Sequence, residues 1–424
     1  MKDQLSLAFH VLVYLGVIHV TAFVVSGEPQ VPCFFIFGDS LVDSGNNNAL
    51  ITAAKANYWP YGIDFPQGVT GRFTNGRTVA DIIGMSTSLD CLRKKKEGLY
   101  VIMSTYCLLI SGQLLGFPKF IPPYATATDQ EISTGVNYGS GSAGVREESG
   151  SHLGDRISMD RQLLNHEKII SRLSALQSNK TFTDEYLKKC IYLSNIGSND
   201  YINNYLIPSI YSTSKTYTAD EYAAVLVQQY SQQLKTIYNL GARKIAVFGL
   251  GQVGCTPAEI KRFGTNGKPC VEWINDAVQL FNDKLKSLVA KLNTDYQDAR
   301  FTLINLTSIS APQGGKVNNL KTSNILCSIH IDNNLIYMFF YDYINLIECM
   351  DFADVPLPNT PCCQIGEDGQ CVPDSKPCLV RALTVFYDGF HPSEISNTAI
   401  ATRSYISVIP TDTYPYDISH LARL

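Results

Sequence analysis

Short apolar runs recur along the chain and alternate with longer stretches whose apolar residues return every three or four positions. The short runs are Cys33 to Phe37, Cys190 to Ser194, Lys244 to Phe248 and Phe301 to Asn305. Their length and apolar character predict strands. The long stretches, among them Ala219 to Leu240 and Val271 to Leu292, predict amphipathic helices. Strands apolar on both faces and separated by helices belong in a parallel sheet covered on both sides. Sites in such sheets lie at the carboxyl ends of the strands. Ser40 stands at that end of the first strand, and Ser198-Asn199-Asp200 at that end of another. No internal repeat or low-complexity linker divides the chain, so a single domain over residues 28–424 is expected.

Two stretches break the alternation. Residues 85–112 and 315–353 are rich in Asn, Ile, Tyr, Leu, Met or Cys, without clear periodicity or turn chemistry. Joining Gly84 to Gln113 restores a continuous amphipathic helix that runs into a proline-rich turn. Both boundaries also admit codons with splice-donor and splice-acceptor dinucleotides. Retained intron sequence is the expectation; a genuine lid or membrane-touching insert is the alternative. Without Cys91, Cys107, Cys327 and Cys349 the 12 cysteines become an even set of eight, as complete pairing requires.

The N-terminus adds a compartment. Lys2 precedes an apolar stretch from Leu5 to Val25, with Ser26 and Gly27 after it. A secretory signal peptide over residues 1–27 is expected, with an uncleaved membrane anchor as the alternative. Secretion suits paired cysteines, and Cys362, Cys363, Cys371 and Cys378 lack the C-x-x-C spacing of a zinc site. It also suits N-glycans at the sequons of Asn179 and Asn305. The net charge of −4 offers no basic field for nucleic acid. No metal or cofactor is expected.

Four separated segments carry possible chemistry. A serine hydroxyl is a poor nucleophile unless a base takes its proton and a third group orients the base. Asp388 and His391, three apart in Tyr387-Asp388-Gly389-Phe390-His391, can share one turn, the carboxylate meeting one ring nitrogen and the other facing a serine. The glycines of "NYGSGSAG" (residues 137–144) allow a tight turn that exposes backbone N–H groups, and Asn199 offers a side-chain amide. Each piece alone has a plainer reading: Ser40 as a helix cap, the Asp–His pair and Asn199 as turn chemistry, the glycine run as a loop. Their joint occurrence favours one acyl-transfer site.

The set also resembles a known family. The segments "FIFGDSLVDSGNNN", "GRFTNGRTVADIIG", "GVNYGSGSAGVREESG", "YLSNIGSNDYINNY", "GARKIAVFGLGQVGCTP" and "DGFHPSE" are similar to those of plant-type GDSL esterase/lipases of the SGNH hydrolase superfamily. The resemblance implies a three-layer α/β/α, flavodoxin-like fold with a five-stranded parallel sheet. It implies Ser40 as nucleophile, His391 as base and Asp388 as its orienter, with Ser40, Gly141 and Asn199 forming the oxyanion hole. It implies pairing of Cys255 with Cys270. It implies a secreted hydrolase of acyl-lipid or cell-wall esters. An acyltransferase using the same triad, and a catalytically dead secreted protein, are the alternatives.

Absences and decoys agree with this reading. The G-x-S-x-G elbow of α/β-hydrolases does not occur. "GLGQVG" (residues 249–254) satisfies G-x-G-x-x-G, but Cys255-Thr256-Pro257 follows where a dinucleotide site opens a helix, so no cofactor is assigned. His152 is expected to be structural, His166 to be solvated on a helix, and His330 receives no role.

Overall fold

The computed structural model describes residues 28–85, 114–310, 359–407 and 409–424. The leader, residues 86–112 and 315–353, and His330 lie outside these. The principal elements in chain order are β1 (Phe34–Gly38), α1 (Val79–Gly84), α2 (Met159–Gln177), α3 (Lys180–Lys189), β2 (Ile191–Asn195), α4 (Ala219–Asn239), β3 (Lys244–Phe248), α5 (Pro257–Phe263), α6 (Glu272–Asp295), β4 (Arg300–Ile304), α7 (Glu394–Tyr405), β5 (Thr413–Tyr414) and α8 (Ile418–Arg423). The four strands expected from apolar runs are present, each within one residue of its expected bounds.

The strands form one sheet in the order β1-β2-β3-β4-β5. β1 to β4 are parallel, with Phe34 opposite Ile191, Ile191 opposite Lys244 and Lys244 opposite Arg300. The expectation of five parallel strands is corrected at the edge. β5 has two residues and runs antiparallel to β4, Leu303 facing Tyr414 and Ile304 facing Thr413. Thr413 and Tyr414 make no apolar run, and Pro415 brings no N–H to extend the ladder; short antiparallel edges on parallel sheets are common. Beyond β1, Asn137 adds a single parallel bridge at Ile36. The segment around it therefore stands where an outer strand of a flavodoxin-like sheet would lie.

Alternation along each strand fills two cores. Phe35, Phe37, Tyr192, Ile245 and Val247 pack with Leu163 and Ile169 of α2, Leu226 and Leu234 of α4, and Phe281 and Leu285 of α6. Phe34, Ile36, Leu193, Ala246 and Phe248 pack with Ile82 and Ile83 of α1, Ala401 of α7 and Leu421 of α8. Burying each such side chain contributes about 1.5–3 kcal/mol. Helix starts follow local chemistry: Thr78 and Asp81 form a capping box at α1, as Thr218 and Glu221 do at α4. A disulfide between Cys33 and Cys190 ties the starts of β1 and β2.

Candidate active site

The carboxyl end of β1 approaches β2 so closely that only glycine fits. A Cβ on Gly38 would lie 2.4 Å from the Asn195 carbonyl oxygen. Gln162 of α2 fixes this end twice: the Gly38 N–H donates to its Oε1 at 2.9 Å, and its Nε2 donates to the Gly38 carbonyl at 2.8 Å. The chain then turns sharply, the Leu41 N–H donating to Asp39 Oδ1 at 3.0 Å. Ser40 stands on this turn, and the next helical turn starts only at Asn46. Ser40 is therefore not a helix cap.

The second contributor is the loop before α7. The Tyr387 N–H donates to the His391 carbonyl at 2.8 Å, closing a tight turn. Within it Asp388, fully buried, accepts the N–H groups of Phe390 and His391 at 2.8 and 2.7 Å and the Tyr61 hydroxyl at 2.6 Å. His391 Nδ1 lies 2.7 and 2.9 Å from the two Asp388 oxygens. Its Nε2 lies 2.8 Å from Ser40 Oγ. Phe73 covers the imidazole with ring centroids 4.9 Å apart. Hydroxyl, imidazole and carboxylate thus form one hydrogen-bonded line, the arrangement in which a base can take the serine proton.

Around this line a profile of GDSL-like lipase/acylhydrolases matches residues 34–403 of the chain. Two GDSL esterase/lipases of Arabidopsis thaliana are each 42% identical to it, over 95% and 94% of this chain and 94% and 93% of theirs. A third from the same plant is 40% identical over 94% of both chains. The chain belongs to the GDSL esterase/lipase family. It is a hydrolase of ester bonds, and the family implies ester or lipid substrates.

In this GDSL esterase/lipase the proposed oxyanion donors are placed unequally. Asn199 lines the same pocket as Ser40 and His391. Its amide donates to the Ala143 carbonyl at 3.0 Å, and its carbonyl accepts Asn203 Nδ2 at 2.6 Å, leaving one amide hydrogen for a ligand. Gly141 is placed differently. Its N–H donates to Asp43 Oδ2 at 3.0 Å and points away from the pocket. The neighbouring Ser142, left-handed at φ 63°, lines the pocket instead, and its N–H has no partner among the described residues.

Sequence reasoning missed what holds this loop. Asn46 Nδ2 donates to the carbonyls of Asn137 and Gly139, and Asn47 Nδ2 to that of Gly141 at 3.0 Å. Asp43 accepts the N–H groups of Gly45, Asn46 and Gly141. On the other arm Asp200, next to Asn199, accepts from Val145, Arg146 and Ser149. The run of three asparagines after the serine was the available signal. Burial pushes Asp39 up to about 7, and Asp43 and Asp200 up to about 6, against the opposing pull of those N–H groups.

The enzyme's pocket has a volume of about 1000 Å³ and a mostly apolar wall. Gly251, Gln252 and Val253 of the "GLGQVG" segment form part of that wall. The helix after this segment opens at Thr256-Pro257, not at the glycines. Among the described residues no group of three His, Cys, Asp or Glu is placed to hold a metal ion. All eight described cysteines pair: Cys33–Cys190, Cys255–Cys270, Cys362–Cys378 and Cys363–Cys371. His152 is exposed on a turn, its Nδ1 3.0 Å from the Tyr211 hydroxyl. The expectation of a solvated His166 is corrected. His166 is fully buried on α2 between Phe35, Phe37 and Tyr192, its Nδ1 2.9 Å from the Tyr138 hydroxyl. It occupies an inward position of the helix beside Leu163, Ile169 and Leu173, and burial pushes it down to about 3.

Proposed function

We propose that this esterase/lipase works through Ser40, His391 and Asp388 by an acyl-serine intermediate. The observation that carries the reading is the continuous hydrogen-bonded line from Asp388 through His391 to Ser40 at the mouth of an apolar pocket. Ser40 Oγ attacks the ester carbonyl carbon while His391 Nε2 takes its proton. Negative charge collects on the carbonyl oxygen, where the N–H groups of Ser40 and Ser142 and the amide of Asn199 receive it. We place Ser142 there rather than Gly141, because the Gly141 N–H is committed to Asp43. The tetrahedral species collapses, the C–O bond of the ester breaks, and His391 hands its proton to the leaving alkoxide. Water then attacks the acyl-serine, giving a proton to His391 that returns to Ser40 as the acid leaves.

The pocket wall favours esters with an apolar acyl or alcohol part, such as acyl lipids. We further propose a single catalytic domain and secretion through residues 1–27. Complete pairing of the described cysteines supports an oxidising compartment. Asn179 is exposed at the cap of α3 and open to glycosylation, whereas the Asn305 amide donates to the Thr411 carbonyl and would be modified before that contact forms. Among the described residues no helix is long and apolar enough to cross a membrane.

The test is labelling with a fluorophosphonate, which reacts with activated serines, alongside hydrolysis of p-nitrophenyl esters. Wild-type enzyme should label and turn over, and Ser40→Ala should do neither. A Ser40→Ala variant with full hydrolysis would overturn the triad.

A further inference from the structure

Four acids that the proposed reaction does not use line the pocket: Glu367 and Asp368 are exposed, Asp39 accepts the Leu41 N–H, and Glu259 is buried. Glu259, on α5, is 1% exposed and lines the same pocket as Ser40 and His391. Its Oε2 has no hydrogen-bond partner among the described residues. The closest cation, Arg262 one turn on, stays 3.9 Å away, its guanidinium donating to the Leu206 carbonyl at 2.5 Å. Burial lifts the Glu259 carboxyl to about 7. The Oε2 atom is thus buried with no hydrogen bond and only a long approach to Arg262, an arrangement proteins rarely keep unless a ligand completes it.

The position of α5 is fixed relative to the reacting groups at both ends. The Ala258 N–H, beside Glu259, donates at 2.9 Å to the carbonyl of Gly389, which lies between Asp388 and His391. At the other end Arg262 holds Leu206, in the segment that continues from Asn199. The Cys255–Cys270 disulfide closes the loop that contains the helix. Glu259 is thus held on a short rigid bridge between the triad loop and the oxyanion segment. Ile202, Ile207, Val253 and Phe390 add apolar surface to the same pocket.

We propose that Glu259 is the recognition point for a free hydroxyl group on the substrate, so that this pocket selects hydroxylated esters over plain alkyl esters. The proposal rests on the triad reading for the placement of the ester carbonyl. A carboxyl group suits a hydroxyl in either protonation state: ionised it accepts the O–H, and protonated it both donates and accepts. A pocket built to bond a hydroxyl discriminates strongly against the analogue that lacks it, because its own polar group is then left unpaired. The hydroxyl belongs to the acyl chain or to the alcohol part, and the two are separated by the choice of substrates.

The experiment measures kcat/KM on two matched pairs with wild type, Glu259→Gln and Glu259→Leu. One pair is a p-nitrophenyl alkanoate and its chain-hydroxylated counterpart. The other is a monoacylglycerol and the ethyl ester of the same acid. The wild type should prefer the hydroxylated member of at least one pair by about tenfold or more. That ratio should fall towards one in Glu259→Leu and stay intermediate in Glu259→Gln, whose amide still bonds a hydroxyl. A preference confined to one pair assigns the hydroxyl to that side of the ester. Wild-type ratios near one in both pairs, or a ratio unchanged in a Glu259→Leu enzyme that still labels with fluorophosphonate, would overturn the subsite while leaving the triad standing. If Glu259→Leu does not label, the wild-type ratios and Glu259→Gln decide in its place. A wild-type enzyme that neither labels nor turns over any of the four esters overturns the triad and the subsite together.

Discussion

His391 Nε2 lies 2.8 Å from Ser40 Oγ although 351 positions of chain separate the two residues. The contact exists because β1 ends, and the loop before α7 turns, at the same rim of the sheet. Neither residue needs a long flexible reach: Ser40 is on a turn clamped by Gln162, and His391 on a turn closed by its own carbonyl. Geometry of this kind is set before substrate arrives, which is what lowers the barrier to proton transfer.

Asp388→Asn should lower kcat on the order of 10⁴-fold with little change in KM, because an amide donating to Nδ1 favours the wrong imidazole tautomer. Steady-state kinetics on a soluble p-nitrophenyl ester check this. A loss below tenfold would mean that Asp388 only packs.

Tyr61→Phe acts on stability. The Tyr61 hydroxyl donates to Asp388 Oδ2 and accepts the Cys371 N–H at 3.0 Å. Its removal leaves a buried N–H without an acceptor, at a cost of about 1–3 kcal/mol. Chemical denaturation should show that loss as a lower midpoint at unchanged slope.

Asp43→Asn tests the support of the oxyanion loop. An asparagine matches the carboxylate in shape but cannot accept from Gly141 while also accepting from Gly45 and Asn46. The Ser142 N–H should lose its aim, lowering kcat by roughly tenfold to a hundredfold with KM nearly constant, below the loss for deleting an oxyanion donor outright. A fall in kcat matched by an equal fall in the folded fraction, read by circular dichroism, would point to general unfolding instead.

His166→Phe should change the acid side of the stability profile. The folded protein holds His166 near 3 against an ordinary value of 6.5. Below about pH 6.5 the unfolded chain takes up a proton that the folded one refuses, so this residue's contribution is present above that pH and lost as pH falls towards 3. The wild type should therefore lose on the order of 3 kcal/mol more than the variant between about pH 7 and pH 4. Parallel profiles from urea denaturation at each pH would contradict the burial of a neutral ring.

Local chemistry alone specified a good deal of this protein. Runs such as Lys244 to Phe248 are apolar on both faces, so they can lie only inside a covered sheet, and their alternation with amphipathic helices dictated the layers. The spacing of Asp388 and His391 was enough to place them on one turn, and the quoted blocks were enough to point to the family. What the tertiary structure decided is everything that depends on distance between remote segments. The polar edge strand β5 carries no apolar signal and exists only because β4 offers it a ladder. The inward direction of His166 depends on which face of α2 meets the sheet. The Gly141 N–H is engaged by one carboxylate, Asp43, about a hundred positions away in the chain. An N–H can serve only the acceptor it faces, and which acceptor that is depends on packing that no stretch of sequence contains.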